Sequence, residues 1–564
     1  MRTKDEKKIL IRNGNIWTAD KSQPWADSIV ISGDTIDFVG REEDAAKACG
    51  EDIVTVDAQG KMVIPAFMDS HVHVVSIAQT MWCLLLEQKE YSSVEEIMEI
   101  VKAYAEEHPK EEVPYIYAYS CPTELMEADN IDRNLMDRYV TDRPVLLCDA
   151  NYHRCLVNSL MLELMEIDEN TPFDPETSCN YLRFEGTNIP SGVIEERAHE
   201  FHHDIDKMFE KLDWYPPTED DPEVMGPVLD AMTDMGICGI HDGFTESEKT
   251  MTGLKALHEQ GRLNQYYNIQ PLMSSVDDLE ETIATAKDWA ARYNNDYMYV
   301  EGIKYFLDGT NELATGAVLE PFITDPDDYG IMNCTEDELT HVFERLNQEG
   351  LNIQIHLVGD RAFRTALNGV ERAQKSEKAA GRDFTIRVTL LHCELTHPDD
   401  RKRPAELGVL INFTPVWAGG LFGDASKQYL GEERYNSMYA FNEMIRSGAI
   451  VNFSSDMVDE EGLQWMPPLL GIEVGHTRIQ ESLHCGMREA ASERMSREDL
   501  LRGYTLYNAI EMGLEDRAGS LEAGKKANIC ILSDNLFEVP ANRIKDIDVE
   551  TVIFEGKVVK GELK

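Results

Sequence analysis

The sequence predicts an α/β protein, a (β/α)8 TIM barrel with a large insertion after strand 1 and a small β-sandwich built from both chain ends. Two observations predict the barrel. Short apolar runs alternate with periodic helices, which is typical of βα units around a parallel sheet. Eight such runs occur, and eight βα units close a barrel. The eight strand segments are 61–73, 236–244, 264–273, 298–309, 351–360, 386–394, 408–417 and 449–457.

The spacing of these segments predicts the remaining architecture. The first two are separated by about 160 residues, far more than a usual βα loop. Residues 75–230 therefore form an inserted subdomain, which we expect to cap the barrel mouth. Both chain ends show β alternation with turn signals. We assign residues 1–64 and 515–564 to a composite β-sandwich and residues 65–514, including the insertion, to the barrel.

Composition excludes several classes of partner. The formal net charge of −51 argues against nucleic acid, because phosphate binding needs basic patches. No apolar run approaches the ~20 residues that span a bilayer, and the first residues lack the apolar core of a signal peptide. The 11 cysteines include no CxxC pair, which favours buried thiols in a reducing compartment. We expect a cytoplasmic protein that binds a small molecule and neither membranes nor nucleic acid.

Four histidines stand at predicted strand ends. His71 and His73 are two residues apart, so both project from the same face of their strand. Two neutral imidazoles side by side form half of a metal site, although two hydrogen-bonded histidines are the simpler interpretation. His356 and His392 end the fifth and sixth segments, where either one alone would be a core histidine. Four at one barrel mouth favour metal or substrate contact.

Two further charged residues belong to this ring. Asp456 ends the eighth segment, next to the first strand in a closed barrel, where it could touch a metal and its water. Its alternative role is a helix N-cap. Lys304 lies inside a β-rich run, where a bare ammonium is costly to bury. It could pair with Asp308, Glu301 or another acid. It could instead carry a carbamate formed with CO2 that acts as a bridging ligand, which needs a lowered lysine pKa.

The ordered set resembles the amidohydrolase superfamily, in the branch called amidohydrolase family 3, which includes N-substituted formamide deformylases. The resemblance covers nearly the whole chain. The stretches that carry it are IRNGNIWTAD, VIPAFMDSHVH, GIKYFLDGT, IQIHLVGDRAF, the FSSD run, YTLYNAIEMGLED and AGSLEAGKKANICILSDN.

The resemblance implies specific roles. His71 and His73 with Asp456 would hold one divalent metal, usually zinc. A carboxylated Lys304 would bridge to a second ion. The remaining implied positions are His356 and His392 for the second metal, and His153 and Asn158 near the active site. From their places at predicted strand ends we also expect Asp308 and His241, with Asn158, to contact the substrate. His241 is equally explained by packing or by support of a ligand. The family also implies a homodimer.

The chemistry that follows is hydrolysis of an amide or N-substituted formamide C–N bond by a metal-activated water. Asp456 serves as general base, with His153 helping to stabilise the oxyanion. A mononuclear deaminase or cyclic-amide hydrolase is the first alternative; it would use His71, His73, His356 and Asp456. An isomerase or decarboxylase on the same metal frame is the second. The segment NELATGA after LDGT lacks an arginine common in the family, which leaves the substrate open.

Overall fold

The computed structural model divides into two compact units. One comprises Met1–Val75, Glu219–Val458 and Gly462–Lys564, and the other comprises Ser76–Thr218 with Asp459–Glu461. The sequence predicts the insertion at residues 75–230, and the main segment of the second unit is Ser76–Thr218. The structure describes residues 8–49, 53–86, 91–126, 131–149, 154–171, 180–195, 198–420, 424–480 and 486–563.

The first unit contains two parallel sheets, and each of the eight predicted strand segments contributes to them. The strands are β1 Phe67–Val72, β2 Ile237–Asp242, β3 Tyr266–Ile269, β4 Leu272–Met273, β5 Met298–Val300, β6 Gly302–Phe306, β7 Asn352–Leu357, β8 Val388–His392, β9 Leu410–Phe413 and β10 Val451–Phe453. One sheet has the order β5-β3-β2-β1 and the other has the order β4-β6-β7-β8-β9-β10. The fold is thus mixed α/β, consistent with a TIM-barrel type.

The strands pair as two separate ladders and not as one closed barrel. The third and fourth predicted strands are each broken in two. Pro271, which lacks a backbone N–H, separates β3 from β4. β3 pairs with β2 and β5, whereas β4 pairs with β6. The ladder therefore changes partner at the proline.

Hydrogen bonds connect the first and last of these strands. The His73 N–H donates to Met457 O at 3.0 Å, and the Asp456 N–H donates to His71 O at 2.9 Å. Asn508 lies beneath them and donates from Nδ2 to Phe453 O at 2.9 Å. Its Oδ1 accepts from Ser70 Oγ at 2.8 Å. These contacts hold the C-terminal ends of β1 and β10 side by side.

Helices follow most of the strands. The helix Asp360–Ala379, for example, packs against the helix Glu336–Glu349. The other α-helices of this unit are Glu42–Cys49, Pro222–Asp234, Lys249–Glu259, Leu279–Tyr293, Arg403–Leu407, Lys427–Ser437, Phe441–Arg446, Pro468–Thr477, Arg497–Arg502 and Asn508–Glu511.

Strands from both chain ends pair in one sheet of the first unit. Met62–Pro65 pairs antiparallel with Ile529–Leu532. Ile16, Ile31 and Ile553 are buried in one shared apolar cluster. The terminal segments form two sheets. The four-stranded sheet has the order Thr35–Gly40, Ser28–Ser32, Lys8–Arg12 and Ile53–Asp57. The six-stranded sheet has the order Lys557–Lys560, Val549–Phe554, Ile529–Leu532, Met62–Pro65, Asn15–Trp17 and Trp25–Ala26.

The second unit is built around a six-stranded sheet of its own. Its strands, in sheet order, are Asn180–Arg183, Pro190–Glu195, Arg154–Val157, Val145–Asp149, Ile116–Cys121 and Leu84–Leu85. Its helices are Val94–Glu107, Thr123–Met126, Arg133–Met136, Ser159–Met165 and Ala198–Leu212, and the helix Val74–Thr80 leads into it.

The described cysteines are buried free thiols, as predicted, except for one pair that forms a disulfide. Seven described cysteines are free and buried. Cys148 and Cys155 form a disulfide. They lie opposite each other on adjacent antiparallel strands, a pairing that residue spacing alone does not reveal. Among the described residues, the structure contains no helix long and apolar enough to cross a membrane.

Candidate metal centre

The ends of β1 and β10 bring three predicted ligands together. His71, His73 and Asp456 each offer one ligand atom, and these atoms lie within 4.8 Å of one another. The Nε2 atoms of both histidines are 3.3 Å from Asp456 Oδ1. The two histidines share a face because β side chains alternate. Two imidazoles and a carboxylate are a donor set typical of zinc sites.

His356 and His392, on β7 and β8, lie beside this cluster. Nδ1 of His392 is 3.4 Å from Asp456 Oδ2. Its ring centroid lies 4.6 Å from that of His356 and 5.5 Å from that of His71. Nε2 of His356 donates to Gly309 O at 2.9 Å. Because a carbonyl oxygen only accepts, Nδ1 of His356 keeps its lone pair.

Lys304 also faces the cluster. Its side chain is fully buried, and its Nζ lies 3.2 Å from His71 Nε2. The two acids considered as its partners are engaged elsewhere. Glu301 binds Arg387 at 2.6 Å, and the Asp308 carboxylate accepts three backbone N–H groups. Pairing of Lys304 with either of these two acids therefore loses its support, and Asp456 is the acid whose charge acts on Lys304.

Burial determines the charges at this centre. It lowers the pKa of His71 and of His392 well below the usual histidine value. Burial, together with the charge on Lys304, lowers the pKa of His356 to about 4. It also lowers the pKa of Lys304 to about 7. At neutral pH these three histidines are neutral, with lone pairs available for a metal.

Asp456 has the opposite character. Burial raises its pKa, but the interactions with His392, His73 and Lys304 outweigh that effect, so the pKa lies below the usual aspartate value. The site thus combines neutral imidazoles with one ionised carboxylate. Asp69, just beneath, differs because burial raises its pKa to about 7. Its carboxylate accepts the Ser455 N–H at 3.1 Å and supports the turn that carries Asp456.

Two of the predicted ligands have a strained backbone. The φ angles are 66° at His392, 41° at Cys393 and 54° at Asp456. A left-handed conformation at a non-glycine residue costs about 1–3 kcal/mol and concentrates at functional sites. The Cys393 N–H, which donates to Leu357 O at 3.0 Å, helps to hold this conformation. The surrounding fold thus holds two predicted ligands in a costly conformation.

The four remaining predicted residues have varied surroundings. Nδ1 of His241 lies 3.0 Å from Glu511 Oε2, so His241 has a carboxylate partner within the protein. The Asp308 carboxylate accepts the three backbone N–H groups already described. Asn158 caps the helix Ser159–Met165, accepts the Met161 N–H and donates to Arg143 O. His153 lies outside the described residues. Substrate contact by any of the four stays a prediction.

Three neighbours of the centre were not predicted as site residues. Gln354 Oε1 lies 3.1 Å from Nδ1 of His71. The alternation in LNIQIH places Gln354 on the same face as His356, and this was the available signal. Trp417 stacks on His392 with ring centroids 5.4 Å apart. Gly243 lies so close to His73 that a Cβ there would be 2.3 Å from Cε1 of the imidazole.

Comparison with known proteins supports the same assignment. A family model described as the amidohydrolase family matches residues 54–560. The N-substituted formamide deformylase of Arthrobacter pascens is 22% identical over 560 residues, covering 97% of each chain.

Solved structures share the fold. The crystal structure of an uncharacterized metal-dependent hydrolase from Pyrococcus furiosus has a TM-score of 0.70 at 23% identity, covering 94% of this chain and all of that one. A variant of atrazine chlorohydrolase from Arthrobacter aurescens, complexed with zinc and atraton, has a TM-score of 0.53 at 13% identity, covering 99% of this chain and 96% of that chain. The match to the family model over most of the sequence confirms the resemblance: the chain belongs to the amidohydrolase family.

Proposed function

We propose that this protein is a metal-dependent hydrolase that cleaves a C–N bond, of amide or N-substituted formamide type, in a small molecule. One observation carries the proposal: buried neutral histidines surround an ionised carboxylate at the C-terminal ends of parallel strands. In barrels of this type the active site lies at that end. We further propose that the two parallel sheets correspond to the two parts of a (β/α)8 barrel. We also propose that the protein works in the cytoplasm.

The residues present fit a bound cation. Nδ1 of His392 is buried and has no hydrogen-bond partner among the described residues, yet it faces the Asp456 carboxylate. Nε2 of His71 and Nε2 of His73 face the same carboxylate. These nitrogen atoms and the Asp456 oxygens converge on one space, an arrangement that suits ligands around a cation. Imidazole and carboxylate donors suit zinc, and zinc accompanies the chlorohydrolase with the related fold.

His71, His73 and Asp456 would hold one ion. His356 and His392 would hold a second, with Lys304 bridging the two if it is carboxylated. In the mononuclear alternative Lys304 stays an amine. A bound divalent ion would act as a Lewis acid and lower the pKa of water at the site to about 7.

Asp456 carries the proton transfers in this proposal. As an ionised carboxylate it takes one proton from the attacking water while the oxygen bonds to the substrate carbon. It then returns that proton to the leaving nitrogen as the C–N bond breaks. The products are a carboxylic acid, formate in the case of a formamide, and an amine. His153 is proposed to stabilise the developing oxyanion.

Product analysis tests the reaction class. Metal-loaded protein is incubated in water enriched in ¹⁸O with a panel of N-alkyl and N-aryl formamides, simple amides, cyclic amides and amino-substituted rings. We expect equal amounts of amine and carboxylate, with one solvent oxygen in the carboxylate. Protein carrying Asp456→Asn is the paired negative control.

The rival reactions give different products. A deaminase releases ammonia from amino-substituted rings, and a cyclic-amide hydrolase opens a ring without releasing an amine. An isomerase or decarboxylase incorporates no solvent oxygen. Turnover without ¹⁸O incorporation would overturn the proposal, and ammonia release confined to ring substrates would favour the mononuclear alternative.

A further inference from the structure

A buried chain of side-chain amides lies beneath His71, the histidine facing both Asp456 and Lys304. We propose that Gln354 is a positioning residue: it holds the His71 hydrogen on Nδ1, so that the lone pair on Nε2 points into the metal centre. The inference rests on the proposed function, because it concerns the same site. The orientation of each side-chain amide follows from the neighbouring groups that can only accept a hydrogen bond.

The chain begins at two backbone carbonyl groups. Gln270 Nε2 lies 3.0 Å from Asp242 O and 3.2 Å from Gly243 O. Carbonyl oxygens cannot donate, so this end of Gln270 must be its NH2 group. The same Nε2 lies 2.7 Å from Gln354 Oε1. Gln270 is therefore a donor to Gln354, and the Gln354 atom it meets must be the oxygen.

The other end of Gln354 gives the same orientation independently. Its Nε2 lies 2.9 Å from Ser70 O, another group that only accepts. It also lies 2.8 Å from Glu511 Oε1. Exchanging the two ends of the Gln354 amide would place its oxygen against the Ser70 carbonyl and its NH2 against the Gln270 NH2. Both contacts would be repulsive, in a side chain only 1% exposed.

The orientation of Gln354 determines the His71 tautomer. Nδ1 of His71 is 3.1 Å from Gln354 Oε1. Since that oxygen only accepts, Nδ1 must carry the hydrogen, and in a neutral ring Nε2 is then unprotonated. The Lys304 Nζ, a donor, lies 3.2 Å from Nε2, which agrees with a lone pair there. Nε2 is also the atom nearest Asp456.

An amide differs from the carboxylate that often supports a metal-bound histidine. It accepts the Nδ1 hydrogen but cannot take it, and it adds no negative charge beside Glu511. Gln354 thus fixes the ring orientation of His71 without placing another carboxylate beside the buried Glu511, which would be costly at this depth.

The wild-type protein tests the tautomer directly. Two-bond ¹⁵N–¹H spectra of metal-free, ¹⁵N-histidine-labelled protein distinguish a hydrogen on Nδ1 from one on Nε2, and the His71 signals are assigned by comparison with a His71→Gln variant. We expect the hydrogen on Nδ1. A hydrogen on Nε2 would overturn the inference. The result does not depend on metal binding, so failure of the proposed function would be distinguished by a wild-type protein that binds no metal.

Substitution tests the positioning role. Gln354→Met keeps the side-chain length and removes the acceptor, and we expect mixed His71 tautomers and a zinc dissociation constant raised by roughly 10–100-fold. Gln265→Met is the matched control, because Gln265 is also fully buried and binds Leu229 O and Thr233 Oγ1 away from the cluster. We expect it to retain the wild-type tautomer and zinc affinity. Retention of both by Gln354→Met would overturn the inference, and if that variant does not fold, the wild-type spectrum decides.

Discussion

At the scale of single residues, Asp456 combines three unusual properties. It is an ionised carboxylate among neutral histidines, its side chain is 12% exposed, and its backbone has a left-handed φ of 54°. The neighbouring strand end holds it there through the His71 carbonyl oxygen. These properties are expected of a general base, which must be ionised to accept a proton and held in place to return it.

Replacing Asp456 by Asn should abolish proton transfer and leave the fold intact. Asparagine tolerates the left-handed conformation and nearly matches the size of aspartate. We expect kcat on a responsive formamide to fall by roughly 10²–10⁴-fold, with an unchanged circular dichroism spectrum and melting temperature. Asp399→Asn is the control, since the Asp399 side chain is 85% exposed. Full activity of the Asp456 variant would rule out its role as general base.

Gly243 gives a second prediction at this scale. A Cβ at position 243 would lie 2.3–2.6 Å from three atoms of the His73 ring, so Gly243→Ala must displace the imidazole. We expect weaker zinc binding in a competition titration, with the secondary structure preserved. Gly486→Ala is the control because a Cβ there meets nothing within 4 Å. Equal zinc affinity in both variants would mean that His73 is not a ligand.

At the scale of elements, the sequence predicts which segments form strands but not how the strands divide. Apolar runs and alternation locate all eight segments. The third predicted strand is split at Pro271, which is visible in the sequence. The sequence does not show that β3 pairs with β2 and β5 while β4 pairs with β6. The positioning chain could not be predicted, because Gln270 and Gln354 are 84 residues apart in the sequence and Gln354 and Glu511 are 157 residues apart. Only the alternation that places Gln354 beside His356 gave a signal.

The helix Asp360–Ala379 carries a pH-dependent stabilising contact away from the site. The Arg382 guanidinium lies 2.6 Å and 2.7 Å from the two Glu377 oxygens and lowers the pKa of Glu377 to about 2. A lowered carboxyl pKa stabilises the fold above its unfolded value near 4.5, and this stabilisation is lost as the pH falls towards 2. Glu377→Gln should therefore be less stable than wild type at pH 7, with the difference shrinking below pH 4.5.

Urea unfolding at pH 7, 4.5 and 3.5 measures this effect. The free energies of unfolding of wild type and Glu377→Gln should converge as the pH is lowered. Glu371→Gln serves as a comparison on the exposed face of the same helix. A stability difference that is constant with pH would show that Glu377 acts by packing and not by its charge.

At the scale of the whole molecule, the ordered ligand set is what made the family recognisable. His71 and Asp456 are 385 positions apart, so no local pattern relates them. The parallel strand order relates them, because neighbouring parallel strands end on the same side of a sheet. The capping role of the insertion and the composite sandwich of both chain ends stay predictions. The Cys148–Cys155 disulfide does not follow from composition, since cross-strand pairing is a property of the folded sheet.

The metal content of the purified protein tests the central claim most directly. Elemental analysis is made on protein prepared without chelator and with bicarbonate present, for wild type, Lys304→Ala and the double variant His71→Ala/His73→Ala. His397→Ala, at a histidine whose side chain is 40% exposed, is the control. We predict about two zinc ions per subunit in wild type and control, fewer in Lys304→Ala and at most one, held by His356 and His392, in the double variant. One ion, unaffected by Lys304→Ala, would select the mononuclear site. No metal in the wild type, or equal metal in the double variant, would contradict the account.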